Sequence, residues 1–107
     1  MPRFPDPVAA YFALAPEAET SDLAIVFAAD AVVRDERREH RGLAAIRDWR
    51  VDTMTRTPFM ARPMAVDEQN GTLVVPAEVT GAFPGSPLTL VHRFTLRDDL
   101  IAALEIA

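Results

Sequence analysis

At Pro58 the periodicity of the sequence changes, and no other feature limits the fold as strongly. Before it, apolar residues recur at the three-and-four spacing of helices. After it, the segments FMARPMAVDE, TLVVPAEVTGAF, LTLVHRFTLR and LIAALEIA follow a twofold strand rhythm. The turn signals QNG, PGSP and RDD separate them, and Asn70-Gly71 is the clearest because both residues tolerate the positive φ of a tight hairpin. Four strands in meander order are expected. Pro63 and Pro76 cannot donate to a ladder, so they belong at an edge or a bulge, and a bulged sheet curls.

The first half reads as helices around a short hairpin. In DPVAAYFALA, Asp6 is the expected N-cap and Pro7 the first helical residue; Val8, Tyr11, Phe12 and Ala15 share a face until Pro16 stops the helix. A second helix is expected from Thr20 or Ser21 to Asp30, with Leu23, Val26 and Phe27 turned inward. AVVRDE and REHR read as two short strands, and Gly42 releases the chain into a third helix, GLAAIRDWRVDTMTR, where Leu43, Ile46, Trp49 or Arg50, and Thr53 or Met54 recur at helical spacing. The expected fold class is α+β, with three N-terminal helices packed on a curved antiparallel sheet.

The 107 residues suit a single domain, 1–107, with one core. A formal net charge of -5 repels phosphates, and the one stretch rich in arginine, residues 34–41, alternates with Asp35, Glu36 and Glu39, so nucleic acid is not an expected partner. The absence of cysteine excludes disulfides, thiolate catalysis and cysteine zinc sites. Prolines interrupt the short apolar run near the start, unlike the core of a signal peptide, and no span approaches the ~20 apolar residues of a membrane helix. No membrane partner and a cytoplasmic location are expected. His40 and Glu39 lack a third ligand at metal spacing, and no phosphate loop or Ser-His-Asp order is present.

Strand alternation singles out two ionisable side chains. In LTLVHRFTL, Leu88, Leu90, Phe94 and Leu96 share a face with His92, which therefore points to the apolar side and needs a hydrogen-bond partner or a solvent-filled cavity there. Asp35 shares a face with Ala31 and Val33, which favours an inward carboxylate; the bland alternative is a rim aspartate paired with Arg34, Arg37 or Arg41.

The segment F-A-x-D-A-x-V-x-D (Phe27 to Asp35), followed by G-x-x-A-I-R-x-W (Gly42 to Trp49) and the closing LVHRFTLRDDLIAALEI, resembles the NTF2-like superfamily, which holds the ketosteroid isomerases and the SnoaL-like polyketide cyclases. The resemblance covers nearly the whole chain. It implies a cystatin-like cone whose curved sheet wraps the helices around an apolar pocket, often in a homodimer. It also implies roles: Asp35 as the base that moves a proton next to a carbonyl, Tyr11 as an oxyanion donor, and His92 where that family carries a protonated aspartate. The histidine is a departure, since its charge behaviour differs from that of a neutral acid.

Asp35, His92 and Tyr11 are thus the candidate catalytic residues, with His92 expected as acid or electrophilic donor. The alternatives remain a structural histidine bonded to a carbonyl and a wall tyrosine. Phe12, Phe27, Trp49, Met60, Leu90 and Phe94 are the candidate pocket lining, with core packing as the competing reading. The expected function is binding of an apolar small molecule, with acid–base proton transfer on a carbonyl compound and no metal or organic cofactor. The alternative is a non-catalytic ligand-binding or dimerisation module. Both faces of TLVVPAEVTG are fairly apolar, so a homodimer through the sheet is expected in either case.

Overall fold

The computed structural model describes residues 3–107; the expected domain starts two positions earlier, outside the described residues. Helix α1 (Asp6–Ala13) begins after Pro5, so Asp6 is not its N-cap; it lies inside the first turn, where its charge still faces the positive end of the helix. The chain becomes extended at Leu14, just before Pro16. Helix α2 (Thr20–Leu23) is a single turn. Glu19, not Thr20 or Ser21, caps it, and the Glu19 backbone N–H donates to the Asp22 carboxylate at 3.0 Å. The expected continuation to Asp30 does not form, because strand β1 (Phe27–Asp35) already starts there, and the Val26 carbonyl accepts from Ile101 N–H.

Strand β2 (Arg38–Arg41) returns beside β1, and helix α3 (Gly42–Arg56) follows directly. Gly42 has φ +84°, a value that strains any residue with a Cβ, so the turn from strand to helix depends on glycine. The remaining strands are β3 (Phe59–Pro63), β4 (Asp67–Gln69), β5 (Thr72–Gly81), β6 (Leu88–Arg97) and β7 (Leu100–Ile106). They form one curved sheet in the order β2-β1-β7-β6-β5-β3, with β4 beside β5.

The hairpin β1-β2 lies between the second and third helices, in the order the sequence predicts. One expectation needs correction: the sheet is not purely antiparallel, since β1 runs parallel to β7, pairing Val33 with Leu104, because the hairpin adds to the open edge of the meander. Pro76 lies in an interior strand, at the gap where β3 stops pairing with β5 and β4 starts. Its carbonyl accepts from Met64 N–H at 2.9 Å, so the missing donor faces a break in the ladder.

The alternation is realised in burial. On β6, His92 and Phe94 are buried while Arg93 and Thr95 are exposed; on β5, Val75, Ala77 and Val79 are buried while Val74, Pro76 and Glu78 are half-buried. Val8, Leu23, Phe27, Ile46, Phe94 and Ile101, all fully or almost fully buried, centre the core between the helices and the concave face. No helix among the described residues is long and apolar enough to cross a membrane.

Candidate functional site

Beyond the core the helices and the sheet diverge, leaving an open cavity of about 490 Å³. Tyr11 and Phe12 of α1, Trp49 of α3, Asp35 at the end of β1, and Leu90 and His92 of β6 all line it. Met60 stands at its rim and is 79 % exposed. Phe27 and Phe94, expected in the lining, are not on the wall: they are 1 % and 0 % exposed and lie behind it, where their rings meet Tyr11 edge-on. Alternation assigns a face of the sheet, but depth along that face decides between closed core and open cavity.

Asp35 is half-buried, and the Trp49 indole N–H donates to its Oδ2 at 3.0 Å. Of the three rim guanidinium groups, Arg34 and Arg41 both pair with Glu39, at 3.0 and 2.9 Å, and Arg37 is exposed with no ion pair among the described residues. Glu36, next in sequence, turns to Arg56. The His40 ring stacks on the Trp49 ring at 5.8 Å, bracing the donor that orients Asp35. Among the described residues no three side chains are grouped to hold a metal ion.

His92 is 4 % exposed, and its Nδ1 lies 3.2 Å from the Leu90 carbonyl oxygen. A carbonyl only accepts, so Nδ1 carries the proton. Burial lowers the imidazole pKa below its ordinary value, against the opposing pull of the Leu90 bond and the Asp35 charge. The resting ring is therefore neutral, with Nε2 as a lone-pair acceptor. That geometry does not suit the donor role expected for His92, because its one proton is already committed. The Tyr11 hydroxyl suits that role: burial pushes its pKa up to about 12, with the Asp35 charge adding to the rise and the neighbouring Arg50 opposing it, so the phenol keeps its proton at neutral pH.

Among the wall residues that the candidate site did not include are Arg50 and Thr53. Ile46, Trp49, Arg50 and Thr53 follow the i, i+3, i+4, i+7 spacing of one helix face, so polar residues on an inward face were the available signal. Arg50 Nη2 donates to the Ala15 carbonyl at 3.2 Å, tying the guanidinium to the chain just beyond α1. Arg50 Nε and Thr53 Oγ1 are buried and have no hydrogen-bond partner.

No family model and no curated protein matches the sequence. Among solved structures, a candidate polyketide cyclase from Sinorhizobium meliloti is 41% identical, with a TM-score of 0.86 over 97% of this chain and 95% of that one. A hypothetical protein of ketosteroid isomerase-like fold from Catenulispora acidiphila, solved with trimethylamine, superposes with a TM-score of 0.78 at 18% identity, over 98% of this chain and 86% of that one. A candidate isomerase of the SnoaL-like family from Agrobacterium tumefaciens reaches 0.77 at 11% identity, over 94% and 92%. Three helices against a curved sheet with an open cavity define the cone class of α+β proteins. Within that class, the chain belongs to the NTF2-like superfamily with its polyketide cyclase relative, and it shares its fold with the ketosteroid isomerase-like and SnoaL-like structures.

Proposed function

We propose that this protein is a single-domain small-molecule binder that moves protons on an apolar carbonyl compound by acid–base chemistry, without a cofactor. The observation that carries this reading is that Asp35, oriented by the Trp49 indole, shares one open cavity with His92 and Tyr11. Asp35 takes a proton from the carbon next to the carbonyl; the C–H electron pair moves into the enolate, and the Tyr11 hydroxyl donates to the developing oxyanion. His92 Nε2 accepts that proton from the Asp35 carboxyl and hands it back to the enolate. The proton returns to the same carbon or a neighbouring one, so atoms and charge balance without an external reagent.

Incubation of 2-tetralone, a flat bicyclic ketone, in D2O tests this. The wild type is expected to accelerate α-deuteration seen by NMR, and Asp35→Asn to lower that rate by at least ~100-fold. Undiminished exchange in the variant removes the mechanism. Ketone binding with no accelerated exchange in the wild type supports the non-catalytic module instead. A homodimer through the sheet belongs to both readings and is supported by the half-buried Val74, Pro76 and Val91 on its outer side.

A further inference from the structure

The pocket reading treats the ligand as an apolar carbonyl compound, and Arg50 adds a constraint on it. Arg34, Arg41, Arg47, Arg56, Arg62 and Arg97 each pair with a carboxylate. Of the described arginines without an ion pair, Arg3, Arg37, Arg38 and Arg93 are exposed to water, which solvates their charge. Arg50 alone is half-buried and unpaired, on a cavity wall made largely of apolar side chains. Its Nη2 is spent on the carbonyl of Ala15, which neutralises no charge, and its Nε faces no acceptor. Three residues further along α3, the Thr53 hydroxyl is equally without a partner on the same wall. The guanidinium also lies over the Tyr11 ring, 5.6 Å from its centroid, but that contact and the carbonyl bonds leave the buried Nε and the buried Thr53 hydroxyl without an acceptor or donor, a costly arrangement beside an apolar cavity. The tie to Ala15 also fixes the guanidinium in advance, as a binding group requires.

We infer that Arg50 and Thr53 form an oxyanion subsite, and that the ligand is a flat apolar compound bearing an ionised oxygen acid, such as a carboxylate or an acidic enol. A small side-chain rotation brings Nε and Oγ1 onto the ligand oxygen, while the ring system lies against Phe12 and Leu90. Asp35, held by Trp49 on the same cavity wall, is left free for the rest of the molecule. This inference rests on the pocket reading and narrows its substrate class.

Isothermal titration calorimetry with 2-naphthoate and 2-acetylnaphthalene, which share a ring system and differ in the oxygen group, separates the two. The wild type is expected to bind the carboxylate at least tenfold more tightly than the ketone. Arg50→Gln is expected to abolish that preference and retain ketone affinity within about twofold, which also reports an intact cavity, and Arg50→Lys to restore part of it. If Arg50→Gln does not fold, the wild-type ratio and a several-fold weaker carboxylate affinity in Thr53→Val decide. Ketone binding without a preference for the carboxylate, or a preference that survives Arg50→Gln, overturns the subsite and leaves the pocket reading standing. Binding of neither ligand takes both down.

Discussion

Trp49→Phe, combined with Asp35→Ala in a double-mutant cycle, measures the contact on which the candidate site depends. The indole N–H to Asp35 Oδ2 bond is 3.0 Å long and partly buried. Hydrogen bonds to charged groups contribute about 1.5–3 kcal/mol, and partial access to water places this one at the lower end, about 1.5–2 kcal/mol. Each single variant also loses packing that has nothing to do with the pair: Trp49 is 9 % exposed and stacks on His40, so its replacement costs more than the bond alone. The cycle subtracts those separate losses and leaves the pairwise energy. With a urea slope of about 1.5 kcal/mol per molar, typical of a small domain, the double variant should unfold about 1 M higher than the sum of the single shifts predicts. Far-ultraviolet circular dichroism is the appropriate probe, since Trp49 is the only tryptophan in the chain and its fluorescence is lost in the variant. A coupling below about 0.5 kcal/mol, within the usual error of additivity, would refute the claim that Trp49 orients Asp35.

His92 makes stability depend on pH in a defined direction. Its folded pKa lies below the ordinary 6.5 because burial disfavours the charged ring, so the unfolded chain takes up the proton first as pH falls. The stability it contributes is complete above 6.5 and is lost as pH drops through the folded value. The urea-midpoint difference between wild type and His92→Gln should therefore narrow from pH 7.5 to pH 5, and a constant difference would count against it. Gly81→Ala places a Cβ 2.5 Å from the Pro58 carbonyl oxygen and 2.9 Å from the Phe83 ring. Because one neighbour is backbone, overpacking should cost about 1–3 kcal/mol, read as a lower urea midpoint, and an unchanged midpoint would show that the close approach is not maintained.

Local pattern carried much of the architecture. The third helix spans the residues its periodicity predicts, while the twofold rhythm after Pro58 gave five strands, not four: FMARPMAVDE breaks after Pro63 into β3 and β4, which both pair with β5. The same alternation put Asp35 on the side of Ala31 and Val33, which are both buried. What escaped depends on partners distant in sequence. The turn of helix at Thr20 gave way to strand at Phe27 because Ile101 supplies a ladder partner that no local signal reveals. Phe27 and Phe94 share a polarity with true lining residues but sit deeper than the cavity reaches. The proton position on His92 follows from the Leu90 carbonyl two residues away, a detail set by the ring rotamer. Arg50 falls at the inward helical spacing of α3, but a charge on a helix is ordinarily solvated, and only the third dimension removes its water.

Strand β7, which follows every other strand of the sheet in sequence, occupies its middle, between β1 and β6. During synthesis, β1 must therefore wait for a neighbour roughly seventy residues downstream before its inner edge is paired, a separation that favours slow, late assembly. Until Leu100–Ile106 leave the ribosome, the aspartate-bearing hairpin and the histidine-bearing strand have nothing to join them. The cavity can close only once β7 is in place between them.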